Sequence, residues 1–314
     1  MTIKNSNRKC STNCVKKLSN GNCEIPASDN LPVQCVGPWV ENKYYFLEKY
    51  LNISRAARKK FSEKNNAVYI DLFSGPGKCF INSKTQKKNK EIDNGALWVA
   101  KMDEAPFNEF YFCDIDESNI KSLKTRVYNY NEYLYSKCKF NNVDSNIFVK
   151  DMVEKLLLKN WRYHFAYIDP FGPKALKFTT IAELSKLNRI DILLHFPLGA
   201  IKRNYKSWSE KEINILNNFL GTNAWQLKED KLRNIYKVLV DTLIEQLNLL
   251  GYKNEYIGFG NIKNYDDAIR VAAIKNSKNV KLYELILISK HKIAGDFWNK
   301  TLEIGPNGQR KLFS

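Results

Sequence analysis

From Ala67 onward, short apolar runs alternate with stretches that repeat at helical spacing, and this alternation restricts the fold more than any other feature of the chain. The strand candidates are Val68–Phe73, Phe110–Ile115, Lys139–Val143, Phe165–Ile168 and Ile190–Phe196. Between the second and third, Ser118–Tyr135 brings Ile120, Leu123, Val127, Tyr130 and Leu134 onto one helical face. Parallel strands need crossover helices, so the spacing predicts an α/β fold with a mostly parallel sheet covered on both faces. Further on, "EYIGFG", "IRVAAIK" and "LYELILIS" regain strand character, the last two separated by the turn-like "NSKN". The sheet is therefore expected to finish in an antiparallel hairpin. Before it, Ser209–Leu220 and Glu229–Leu250 read as two helices closed by Gly221 and Gly251, with "SEKE" fitting a capping box. They form a helical insertion at about 202–252.

Two regions follow. Residues 1–38 are a polar, Cys-rich arm, expected to be irregular, and residues 39–314 are the α/β domain, entered through a helix after Pro38 that sets Val40, Tyr44, Leu47 and Leu51 on one face. Cys10, Cys14, Cys23 and Cys35 crowd the arm; in a reducing compartment such a cluster points to metal before disulfide. Four thiolates suit a structural zinc ion that fastens an arm too polar to fold by burial. The irregular spacing leaves an iron–sulfur cluster and free thiols as alternatives.

The chain has 314 residues and a formal charge of +17, from 50 Lys and Arg against 33 Asp and Glu, which favours a polyanionic partner, DNA or RNA. A Lys- and Asn-rich genomic bias would produce part of the same excess. No window approaches a membrane span and "MTIKNSNRKC" has no signal-type apolar core, so the expected location is the cytoplasm, without membrane contact. The Lys-rich segment Lys78–Gly95 reads as a mobile loop, either touching a phosphate backbone or simply solvated.

In an open α/β sheet, ligands lie beyond the carboxyl ends of the strands. The first strand ends in "DLFSGPGK": Asp71, Phe73, then Gly75 and Gly77, where a missing Cβ lets the backbone approach a ligand. The loop is neither a dinucleotide fingerprint nor a Walker motif, so it suits a ligand without pyrophosphate. The second strand ends in Asp114, placed to accept ribose hydroxyls, while Asp116 is positioned to cap the next helix. Asp144, after the third strand, either accepts an adenine amino group or caps the helix from Ser145. The fourth ends in Asp169-Pro170-Phe171-Gly172: a carboxylate and a carbonyl to accept hydrogen bonds from an exocyclic amine, and a ring to stack on an unstacked base. An ordinary turn after a strand is the plainer alternative. Of the three histidines, His195 and His291 lie at or near strand ends, where either could line the pocket; as lone histidines they are more often structural.

The order of a DxFxGxG loop, an acid ending the second strand, an acid after the third and D-P-F-G after the fourth resembles class I S-adenosylmethionine-dependent methyltransferases, with a Rossmann-like fold. The last motif is similar to the D-P-P-[YF] of amino-group methylases, from which it departs at Phe171 and Gly172. More specifically, "DNLPVQCVGPWVENKYYFLEKYL", "YIDLFSGPGKC", "FYFCDID", "AYIDPFG", "DILLHFP" and "LISKHKIAGDFWNK" resemble the bacterial three-Cys-motif partner family, TcmP, from about Asp29 to Trp298. The resemblance implies S-adenosylmethionine at Asp71, Phe73, Gly75, Gly77, Asp114 and Asp144, with Asp71 orienting the cofactor's ammonium group. It also implies amine methylation at Asp169, Pro170 and Phe171, and a three-cysteine, radical-SAM-like protein as partner. Two functions compete: methylation of a nucleic-acid base, in a setting such as phage defence, and a non-catalytic methyltransferase-fold module that binds nucleic acid or that partner. A metal-dependent hydrolase using Asp114, Asp144 and Asp169 is a third.

Overall fold

The computed structural model describes residues 17–81, 90–197, 201, 208–228, 235–258, 272–275, 281–306 and 308. In chain order, β1 (Gln34–Val36) leads into α1 (Trp39–Ile53) and α2 (Arg55–Ser62). Then come β2 (Ala67–Asp71), β3 (Lys78–Ile81), β4 (Lys90–Asp93), α3 (Gly95–Ala100), β5 (Glu109–Asp114), α4 (Glu117–Tyr130), α5 (Glu132–Ser136) and β6 (Cys138–Asn142). After α6 (Ser145–Leu157), β7 (Tyr163–Ile168), α7 (Phe178–Leu184) and β8 (Ile190–Phe196), the insertion supplies α8 (Glu210–Leu220) and α9 (Ile235–Leu249). The chain ends with β9 (Ala272–Lys275), β10 (Lys281–Ser289) and α10 (Lys292–Leu302).

Seven strands form one sheet in the order β6-β5-β2-β7-β8-β10-β9. The first five are parallel neighbours, and β10 runs antiparallel to both β8 and β9. The mixed sheet with its terminal antiparallel hairpin matches the expected pattern, and residues 276–280 between the hairpin strands lie outside the described residues. The strand expected at "EYIGFG" is instead a 3₁₀ turn at Asn254–Tyr256 followed by an isolated bridge from Ile257 to Ile288. Period-two burial shows why the strands read as continuous apolar runs: Val68 and Ile70 enter one core with Ala166, Ile168, Ile192 and Leu194, while Tyr69 enters the other with Phe110, Phe112, Phe165 and Leu193. Helices α6 to α9 cover the first face; α1, α3, α4 and α10 cover the second.

Local signals fixed several boundaries. Ser209 and Glu212 form the expected capping box, and Gly221 ends α8 in the left-handed region at φ 77°. The helix expected over Ser118–Tyr135 is instead two, because Asn131 adopts an extended conformation and caps α5 by accepting the Leu134 N–H.

Two expectations about the periphery are corrected. The segment Lys78–Gly95, read as a loop, contains β3 and β4 pairing antiparallel, with residues 82–89 outside the described residues. The arm is not irregular throughout: β1 pairs parallel with β3, making a second, three-stranded sheet. Its polar side chains hold it to the body. Arg126 of α4 donates to both Asp29 oxygens at 2.8 Å and to the Pro32 carbonyl at 2.9 Å, and it also bonds the Pro76 carbonyl of the glycine loop. Such long-range polar pairing carries no periodicity, so a pattern reading misses it.

Candidate functional site

The chain runs from β2 outward through β5 to β6, then returns to lay β7 and β8 on the other side of β2. The switch in direction between β2 and β7 splays the loops that follow them and leaves a crevice at their carboxyl ends. There the structure has a cavity of about 850 Å³. Its walls come from the ends of four strands: Phe73 and Gly75 after β2, Asp114 and Ile115 after β5, Asp144 after β6, and Asp169 and Phe171 after β7. Residues distant in sequence thus converge. The insertion closes one side with Trp208, Glu212 and Leu216, and the arm closes another with Ser19, Asn20 and Gln34.

The glycine loop is not an anion cradle. The Phe73 N–H goes to Asp71 Oδ1 at 3.1 Å, the Ser74 N–H to the Cys113 carbonyl at 2.9 Å and the Gly75 N–H to Asp114 Oδ2 at 2.9 Å. With these donors used internally, a phosphate has little to bind there. Among the described residues, five carboxylates line the cavity (Asp114, Asp116, Asp144, Asp169 and Glu212) against one lysine, Lys174. In a chain of charge +17, an acidic cavity favours a cationic ligand.

Several expected residues have other work. Gly75, at φ 60°, lines the cavity as expected; Gly77, at φ 94°, does not. A Cβ there would stand 3.0 Å from Leu123 Cδ1 and 3.2 Å from Arg126 Cδ, so what comes close to Gly77 is α4. Asp71 is buried, not part of the cavity wall, and bonded by Tyr69 Oη and Phe73 N–H. Burial pushes its carboxyl up to about 8. Asp144 caps α6 through the Asn146 N–H at 2.8 Å while still lining the cavity, and Asp116 caps α4 through Ser118 and Asn119. Asp114 lies in the wall, raised by burial, and also accepts from Asp116 N–H and Asn119 Nδ2.

The fourth strand end is the most structured. Asp169 Oδ2 meets Lys43 Nζ of α1 at 2.5 Å and Oδ1 meets His195 Nδ1 of β8 at 2.6 Å. Burial alone would raise this carboxyl, but the Lys43 charge and the His195 bond outweigh it and hold Asp169 well below the usual range. His195 itself is lowered, chiefly by burial, and so is neutral near pH 7. Pro170 is buried and does not line the cavity, whereas Phe171 is 71% exposed. The arm backbone packs on that ring: a Cβ at Gly21 would be 2.8 Å from Phe171 Cε2, and Lys17 Nζ lies 5.4 Å from the ring centroid. Asn146 bonds the Ala175 carbonyl and the Lys177 N–H, fixing the segment after the turn.

Sequence patterns missed Lys43, Gln34, Asn20 and Ile115. Lys43 sits within an amphipathic helix where a solvated lysine is ordinary. Ile115, directly after Asp114, is 75% exposed in the cavity wall, and because single exposed apolar residues are ordinary nothing in the sequence marks it.

For the metal expectation, Cys10 and Cys14 lie outside the described residues, and Cys23 and Cys35 are buried in a small cluster with Ala27, Val33 and Phe80. Among the described residues, no three His, Cys, Asp or Glu side chains gather as a metal site. No helix among them is long and apolar enough to cross a membrane.

No family model matches the chain. No curated protein matches it either. Among solved structures, it is similar to protein LPL1258 from Legionella pneumophila, assigned to the family DUF519, with a TM-score of 0.45 and 9% identity over 87% of this chain and 94% of that one.

Proposed function

We propose that the chain is an S-adenosylmethionine-dependent methyltransferase acting on an exocyclic amino group of a nucleic-acid base. The observation that carries this is the acidic cavity at the β2/β7 switch point, whose loop amides are already bonded and whose wall presents Asp114, Asp144, Asp169 and Phe171 together. What supports the class I methyltransferase fold is the strand order, in which a last antiparallel strand enters between the fifth and sixth of an otherwise parallel sheet.

The residues present fit the cofactor. It carries positive charge, which the carboxylates favour; Asp114 retains lone-pair capacity for ribose hydroxyls, and the exposed Ile115 side chain offers an apolar surface to a purine. Bound there, S-adenosylmethionine supplies an electrophilic sulfonium methyl. On the protein side, Asp169 accepts hydrogen bonds from the acceptor amine, drawing its lone pair out of conjugation, and Phe171 stacks on the flipped base. The lysine excess outside the cavity supports attraction to phosphates. Zinc in the Cys-rich arm and a three-cysteine protein partner accompany this proposal, with metal analysis and co-purification as their tests.

The test is transfer of a tritiated methyl group to total DNA, total RNA and lysate. Label in a nucleic-acid pool that disappears with Asp169→Ala supports the proposal. Cofactor binding with no transfer to any pool favours the non-catalytic module.

A further inference from the structure

The carboxylate on which the proposed transfer depends is held from two opposite elements. Lys43 Nζ of α1 lies 2.5 Å from Asp169 Oδ2, and His195 Nδ1 of β8 lies 2.6 Å from Oδ1. Lys43 is 11% exposed along its side chain and is not part of the cavity wall, whereas Asp169 is. We propose that Lys43 is a positioning residue for the acceptor carboxylate: it keeps Asp169 charged and fixed in the cavity wall, while His195 fixes the other oxygen. This rests on the methyltransferase proposal and names how its central group is controlled.

The surroundings leave that task to Lys43. Within electrostatic reach of Asp169 are Tyr167 just before it in the chain, Tyr69 and Asp71 of β2, Cys79 of β3, Tyr44 of α1, Tyr283 of β10 and His195. These groups are neutral or potentially anionic near pH 7; among the described residues, Lys43 is the cation paired with Asp169. A buried carboxylate stripped of its cation takes up a proton rather than stay charged. A protonated Asp169 presents a donor where the amine needs an acceptor. The His195 geometry agrees: with its Nδ1–H given to Asp169, the ring is neutral, and its buried Nε2 has no hydrogen-bond partner among the described residues, so no second proton need be satisfied there.

The experiment is an NMR titration of the full chain carrying ¹³C-carboxyl aspartate, with Asp169 assigned by its loss in Asp169→Asn. In the wild type, the Asp169 signal stays that of a carboxylate from about pH 8 to about pH 4. In Lys43→Met it titrates within that window, and in Lys43→Arg the wild-type behaviour returns. Methyl transfer by Lys43→Met then gains an acid limb, falling about tenfold per pH unit below the new midpoint, while cofactor affinity is unchanged. A Lys43→Met protein whose Asp169 remains charged at low pH overturns the proposal; so does a wild-type Asp169 that titrates near pH 5, which decides the matter even where Lys43→Met does not fold. If the wild type binds no S-adenosylmethionine, the methyltransferase proposal fails, and the carboxyl titration still decides whether Lys43 controls Asp169.

Discussion

Asp114 Oδ2 accepts the backbone N–H of Gly75 at 2.9 Å, so the end of β5 holds the loop that follows β2. The same carboxylate accepts from the Asp116 N–H at 2.8 Å and from Asn119 Nδ2 at 3.2 Å. In Asp114→Asn, one of the oxygens becomes an NH₂ facing a donor. The expected result is a loss of about 1–3 kcal/mol of stability and at least about tenfold weaker binding of S-adenosylmethionine, checked by thermal melting and calorimetry. Unchanged affinity would show that the loop's position does not matter to the ligand.

The arm is tied down through Asp29 and Arg126. Burial would raise the Asp29 carboxyl, but the Arg126 hydrogen bonds and charge outweigh it and bring it from 3.8 to about 2. A depressed carboxylate contributes stability that is present above its ordinary value and lost as pH falls from about 4 toward 2. Asp29→Asn should therefore loosen residues 17–36 at neutral pH and leave the core folded. Limited proteolysis measures this as faster cleavage in the arm at an unchanged melting temperature of the sheet.

Asp71 has the opposite sign. Its carboxyl is raised by burial from 3.8 to about 8, so its contribution is intact below the ordinary value and is lost as pH rises through the folded one. Asp71→Asn removes the titration while keeping an oxygen for the Phe73 N–H. The variant should gain on the wild type by about 4 kcal/mol between about pH 5 and pH 9, at about 1.36 kcal/mol per pH unit up to the folded value of about 8. Parallel stability curves for the two proteins would show that Asp71 is ionised throughout.

Gly77 sits at φ 94° with Leu123 and Arg126 against it. Gly77→Ala combines left-handed strain with a crowded Cβ and should cost about 1–3 kcal/mol in denaturant titrations. Any loss of ligand affinity should be small, because Gly77 faces α4 and not the cavity. A larger effect on affinity than on stability would reverse that assignment.

The parts of this fold legible in the sequence are those carried by repeating patterns. Strands such as β8 (Ile190–Phe196) place Ile190, Ile192, Leu194 and Phe196 on one face with Leu193 between them, so their positions follow from the apolar pattern. Asp114, Asp144, Asp169 and Phe171 could be named because they stand at strand ends, where backbone geometry alone gathers them. The partners of those residues were not legible. Lys43 lies 126 positions from Asp169, and Asn20 lies 96 from Asp116, to which it donates at 2.7 Å. Nothing local marks such pairs. The glycine loop is ambiguous for the same reason: its sequence announces close approach, but not whether a ligand or a helix approaches. The small sheet of β1, β3 and β4 escaped because its strands are of three or four residues and each begins with a polar one, Gln34, Lys78 and Lys90.

Calorimetric titration of the purified full chain with S-adenosylmethionine tests the central claim most directly. One site per chain is expected, abolished by bulky substitution at Gly75 and competed by S-adenosylhomocysteine. Absence of heat, together with no shift in melting temperature at millimolar cofactor, would contradict it.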